Sequence, residues 1–281
     1  MILLVAGVTG MLAARLGWLL LRPSLSQAPF LRANYRGRTV PTAGGLILAM
    51  VVLVVEAGRV VLGAAGVGDR QSLSGARLAV VLVVVGLSLV GLADDLVGDR
   101  GDDRGFRGHL RALAKGRLTT GGAKIVGGSA VAALAVAMAT SPRSLGRLIV
   151  DAALVALAAN FGNLLDRAPG RAAKGALVAF GVLAGVSRGS RQLSEVAVLM
   201  GAILGLLLDD LHERVMLGDT GSNALGAALG LGVVLTASPT GRLVVLGVLV
   251  VANVASEVVS FSEVIDRTPP LRALDGIGRR P

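Results

Sequence analysis

Five aspartates fall within ten positions of "GLADDLVGDRGDD", residues 91–103, directly after an apolar run. Carboxylates packed this closely repel one another unless a cation neutralises them. Mg²⁺ favours a few carboxylates completed by waters and substrate phosphates, so Asp94, Asp95 and Asp99 read either as a phosphate-handling site or, with this motif alone, as a solvated helix end. Asp102 and Asp103, beside Arg100 and Arg104, read as ordinary surface pairs. A second group, "NFGNLLDR", spaces Asn160, Asn163 and Asp166 three apart, which on a helix makes one stripe of amides and a carboxylate. Such polar groups near a membrane call for a cavity or for a hydrogen-bonding helix partner. A third, "MLGDTGSNALG" at 216–226, sets Asp219 between glycines and hydroxyls before an apolar segment. That pattern suits either a simple helix N-cap or a helix N-terminus open to an anion.

Whatever positions these groups is a membrane scaffold. Hydrophobic residues make up 53% of the chain, charged residues only 16%, and the mean hydropathy is +0.74, far from a soluble domain with about 25% charge. There is no cysteine, and the two histidines, His109 and His212, are far apart, which removes thiolate and histidine metal sites and leaves hard oxygen ligands. The net charge of +10 does not indicate nucleic acid, because the basic residues form no run and few aromatics accompany them.

Nine hydrophobic segments are predicted, at about 1–21, 43–65, 77–93, 123–139, 147–160, 174–186, 195–209, 223–237 and 242–261. The first has no positively charged start and reads as a span rather than a signal peptide. Connections after odd-numbered segments hold nineteen Lys or Arg and those after even-numbered segments seven, which places the odd connections in the cytoplasm. Thirteen of the eighteen acidic residues fall on that same face. The expected fold is all-α, a polytopic integral membrane helical bundle of about nine transmembrane helices, with residues 1–281 forming one domain. Glu56, Asp151 and Glu257 fall inside predicted spans, which also admits an ion-relaying transporter.

The three motifs, preceded by "NYRGRTVPTAGGL" at 34–46, resemble in this order the polyprenyl-phosphate N-acetylhexosamine-1-phosphate transferase superfamily, glycosyltransferase family 4. The resemblance implies a multi-pass plasma-membrane enzyme with a cytoplasmic active face. It would move a sugar-1-phosphate from a UDP-sugar to a polyprenyl phosphate, release UMP, use Mg²⁺, and serve cell-wall or surface-glycan synthesis; a homodimer is compatible with it. Position by position, Asp94 and Asp95 match the catalytic double aspartate, Asn163 and Asp219 the metal site, and Asn160 and Asp166 polar residues of the substrate cleft. Arg167, Arg171 and Lys174 are candidates for substrate phosphate, or else juxtamembrane charges. The third motif departs from the family's usual Asp-Gly-x-Asp-Gly-Leu-Ala, with Arg167 and Pro169 at the second and fourth places. The segment after residue 261 carries no histidine, unlike the histidine-rich loop of many members. These departures lead to the expectation of a donor other than UDP-muramoyl-pentapeptide, or of a catalytically silent homologue that binds lipid phosphate.

Overall fold

The structure is a computed structural model describing residues 1–42, 44–68, 74–97, 120–141 and 144–279. Asp99, Asp102, Asp103 and His109 lie outside the described residues. Each predicted apolar segment lies within or largely overlaps a helix: α1 Ile2–Leu25, α2 Gly44–Ala64, α3 Gly75–Val97, α4 Thr120–Thr140, α5 Leu145–Leu165, α6 Arg171–Val186, α7 Ser194–Leu211, α8 Gly218–Thr236 and α9 Pro239–Ala255. Two short helices follow, α10 Phe261–Arg267 and α11 Pro269–Gly276. The chain is a multi-pass helical membrane protein. Among the described residues, six helical stretches are long and apolar enough to cross a membrane, namely α1 to α5 and residues 191–211, which include α7. Helices α6 and α9, of 16 and 17 residues, fall short of that length.

Helices α7 and α8 form the centre. Most of α7 is buried, and α8 packs against α3 and α5. Its sequence explains this: GDTGSNALGAALGLG presents small residues that let neighbouring backbones approach closely. A Cβ placed on Gly226 would come within 2.1 Å of the Ala158 carbonyl oxygen. Outer helices show the reverse pattern, with Leu4, Leu12, Leu16 and Leu20 of α1 and Val244, Val248 and Val251 of α9 exposed where lipid solvates them.

Two of the three carboxylates within the spans are neutralised inside the bundle. Glu56 meets Arg59 at 2.7 Å and Arg77 at 2.6 Å, and Arg59 also pairs with Glu195 at 2.7 Å. Asp151 pairs with Arg242 at 2.7 Å. These arginines tie helices together and account for the two acids without an ion path; Glu257 is exposed.

The connection from α1 to α2 is more ordered than its polar sequence suggests. Strands β1 (Leu31–Ala33) and β2 (Thr39–Pro41) form an antiparallel hairpin, and its turn is closed by Asn34 Oδ1 accepting from the Arg36 and Arg38 amides, each at 2.9 Å. The hairpin leads into α2, whose first turn lies against the start of α8: a Cβ on Gly45 would be 2.0 Å from the Gly221 nitrogen. Gly45→Ala therefore forces two backbones apart. The expected result is a lower yield of monodisperse protein in detergent and a lower unfolding midpoint, because overpacking costs about 1–3 kcal/mol and here the obstacle is backbone. Gly58→Ala, on the same helix with nothing within 4 Å, leaves both measurements unchanged.

Candidate active site

The C-terminal ends of α3, α5 and α7 meet the N-terminus of α8. Helix α8 has no side-chain cap from its own N-cap residue, Leu217. The cap comes from α3: Asp95 Oδ1 accepts from the Asp219 amide at 3.0 Å, while Oδ2 accepts from the Thr220 amide at 3.0 Å and the Thr220 hydroxyl at 2.6 Å. An anion at a helix N-terminus satisfies orphan amides and faces the positive end of the dipole. Asp219 is thus not the cap of its helix, and its carboxylate is left for other work. It accepts from Asn163 Nδ2 at 3.3 Å and pairs with Lys124 Nζ, which also lies 3.8 Å from Asp94. Ser222 Oγ stands 3.5 Å from Asn163 Oδ1, and Asn223 donates to the Asp219 carbonyl at 2.6 Å.

A cleft of about 290 Å³ opens beside this group, with Asn34, Tyr35, Asp95, Asp166, Arg167, Asp210, Glu213 and Asp219 among its lining residues. The hairpin closes one side through main-chain bonds, the Met216 amide to Pro41 O at 2.7 Å and the Gly44 amide to Met216 O at 3.0 Å. Asn34 donates to Glu213 at 2.6 Å, and Arg36 pairs with the same carboxylate at 3.3 Å. Asp210 accepts from the Gly170 amide at 3.1 Å, which fixes the turn after α5. Burial, together with the nearby carboxylates of Asp210, Asp219 and Asp95, holds the Asp166 carboxyl well above the usual carboxylate range.

Among the described residues, no three His, Cys, Asp or Glu side chains gather as a metal-holding group. Mg²⁺ does not need such a group, since it is held by one or two carboxylates with substrate phosphates and water. Asp219 and Asp94, both against Lys124, supply the carboxylates for that demand, and Asn163, whose amide nitrogen faces Asp219, would add an oxygen on turning its amide over.

Residues 77–237, more than half of the chain, match the family model for glycosyl transferase family 4. The chain belongs to this family. The matched family 4 region runs from α3 to the end of α8 and so contains Asp94, Asp95, Lys124, Asn163, Asp166, Asp210 and Asp219. The family 4 chain is 27% identical over 254 residues to the phospho-N-acetylmuramoyl-pentapeptide-transferase of Shouchella clausii (strain KSM-K16), covering 82% of this chain and 72% of the relative. It is 38% identical over 120 residues to the enzyme of the same name from Moorella thermoacetica (strain ATCC 39073 / JCM 9320), covering 40% of this chain and 37% of that one.

Of the residues singled out in the sequence, Asp94, Asp95, Asn163, Asp166 and Asp219 come together in this family 4 fold, and Arg167 lines the cleft. The other three lie elsewhere. Asn160 donates to Asn253 of α9 at 2.6 Å, the helix-to-helix bond that was its alternative reading. Arg171 and Lys174 bind the C-terminal segment, Arg171 through Asp275 and Lys174 through the Asp275 carbonyl at 2.5 Å. Sequence reasoning passed over Lys124, one basic residue among several in its connection, and saw Thr220 only as a possible cap of its own helix, not as a partner of Asp95. It counted Asp210 among the acids of the cytoplasmic face but gave it no part in the site, although "LLLDDL" repeats the double aspartate at the end of an apolar run.

The crowding of acids gives a pH signature. At low pH Asp166 is protonated in both folded and unfolded chains, and Asp166→Asn has little effect. As pH rises, the unfolded chain releases its proton first, and the wild type loses stability from the ordinary carboxylate value up through the raised folded one. The stabilisation by Asp166→Asn therefore grows with pH, as unfolding midpoints measured from pH 4 to pH 8 will register on the order of degrees.

Proposed function

We propose that the cleft transfers a sugar-1-phosphate from a UDP-sugar to a polyprenyl phosphate with release of UMP, in cell-wall polymer synthesis. The observation that carries this reading is the convergence of Asp94, Asp95, Lys124, Asn163 and Asp219 at one end of a membrane bundle, inside the region matched to family 4. An oxygen of the lipid phosphate attacks the β-phosphorus of the nucleotide sugar, the bond from the bridging oxygen to the β-phosphorus breaks, and UMP departs with the bridging oxygen.

Asp95, with both oxygens engaged by α8, aligns the Asp219 turn, and Asp94 beside Lys124 removes or holds the proton of the acceptor phosphate. Asp219 and Asn163 would hold Mg²⁺, which supplies neutralisation of the diphosphate charge. Lys124 balances the Asp94 and Asp219 carboxylates and presents an ammonium to the same phosphates. On this reading the chain crosses the membrane about nine times, the shorter helices included, with this end in the cytoplasm, where nucleotide sugars are available.

The test is Mg²⁺-dependent exchange of labelled UMP by purified protein with polyprenyl phosphate and a panel of UDP-sugars that includes UDP-muramoyl-pentapeptide. Exchange with one or more donors supports the reading, and saturable lipid binding without exchange overturns it in favour of a silent homologue. Arg167, a cation in the cleft where the usual motif has glycine, favours a donor other than the muramoyl-pentapeptide nucleotide. Efficient turnover of that nucleotide would refute this preference.

A further inference from the structure

The segment after α9 folds back onto α6 and onto the turn that borders the cleft, and it docks by charge. In α11 the one buried residue is an acid, Asp275, while Leu271, Leu274 and Ile277 of the same segment are exposed. Arg171 grips Asp275 with two bonds, Nε to Oδ1 at 3.0 Å and Nη2 to Oδ2 at 2.7 Å, and reaches Ser262 with Nη1 at 2.8 Å. Lys174 Nζ caps the end of α11, donating to the carbonyls of Leu274, Asp275 and Ile277 at 3.2, 2.5 and 3.2 Å. Burial alone would raise the Asp275 carboxyl, but the hydrogen bonds from Arg171 and Arg279 outweigh it and hold it below the usual range.

These contacts lead to the cleft. Arg279 donates to Asp275 at 2.6 Å and, through Nε, to the carbonyl of Pro169 at 2.8 Å. Pro169 and Gly170 end the turn that carries Asp166 and Arg167, and the next amide, that of Gly170, is held by Asp210 from the opposite side. Gly170 has φ +70°, and a Cβ there would be 2.4 Å from Leu211, so the turn is fitted to α7 and has little freedom on that side. Its other side is held by the strap.

We infer that the C-terminal segment is a positioning strap for the cleft, in which Asp275, acting through Arg171 and Arg279, fixes the 166–170 turn so that Arg167 faces the diphosphate of the donor nucleotide. The part concerning the donor rests on the function proposed above; the part concerning the turn does not.

The absence of cysteine permits a direct test. Ala168→Cys in the full-length protein is alkylated with a charged maleimide, with and without Asp275→Asn. The labelling rate is expected to rise about tenfold when the strap is released, to return towards the parent rate with Asp275→Glu, and to rise with Arg279→Ala, which cuts the Pro169 contact. Should Asp275→Asn fail to fold, Arg279→Ala decides. In chains without the cysteine, the KM for the UDP-sugar rises about tenfold while kcat stays within about twofold, the mark of lost ground-state and transition-state binding alike. Unchanged labelling in both variants overturns the strap, and a fall in kcat at constant KM overturns its link to donor binding. Faster labelling in a protein with no turnover in any variant supports the strap and counts against the proposed function instead.

Discussion

Asp219→Asn stops labelled-UMP exchange and leaves a folded protein in the membrane. The carboxylate is 24% exposed, pairs with Lys124 and accepts from Asn163, while the amide of the same residue keeps its bond to Asp95 whatever the side chain. Replacing one oxygen by an NH₂ removes the charge that would hold the cation and sets a donor against the Lys124 ammonium. The exchange rate is expected to fall at least about a hundredfold, the upper end of what loss of even an outer-shell metal partner costs. Size-exclusion behaviour and the unfolding midpoint stay close to those of the parent. A normal rate with a normal Mg²⁺ response in Asp219→Asn would show that the metal is held elsewhere.

Asp95→Asn fails differently, in stability as well as turnover. Both Asp95 oxygens accept hydrogen bonds from the first turn of α8, and an amide can accept with only one. The unsatisfied donor costs about 1–3 kcal/mol, and loss of the anion at the helix terminus adds about 0.3–1 kcal/mol. The unfolding midpoint therefore drops together with exchange. Asp94→Asn, which leaves the α8 cap intact, is expected to lose exchange while keeping the midpoint. Equal midpoints for wild type and Asp95→Asn would mean that the cap contributes nothing to holding α3 and α8 together.

The contrast between these neighbouring aspartates marks where sequence reasoning stopped. "LADDLV" announces paired carboxylates at a helix end, but which of them caps a helix more than a hundred residues away is decided by tertiary packing. The long helices were legible because about 30 Å of hydrocarbon demands an unbroken apolar run, and those runs are in the chain. The hairpin at 31–41 was not, since each strand has only three residues and its fit depends on main-chain bonds to Met216 and on Asn34 reaching Glu213. That Asn163, Asp166 and Asp219 share one face followed from charge asymmetry between connections, and that they share one site followed from the resemblance carried by the ordered motifs. The use of Arg171 and Lys174 could not follow from either, because their partners lie in a polar segment with no periodic signal linking it to α6. Asn160 shows the same limit: it shares a helical stripe with Asn163, yet its partner is Asn253 on another helix.

Phosphoryl-sugar transfer differs from ordinary glycosyl transfer in which bond of the nucleotide breaks, and the fate of one phosphorus atom records it. Purified protein is to be given polyprenyl phosphate and a UDP-sugar radiolabelled at the β-phosphorus. Transfer of a sugar-1-phosphate sends the label into the organic phase as polyprenyl diphosphate sugar, with an equal amount of unlabelled UMP left in the aqueous phase, and Asp219→Asn abolishes both. Label recovered as UDP, with the lipid carrying only the sugar, would contradict the proposed chemistry at this cleft.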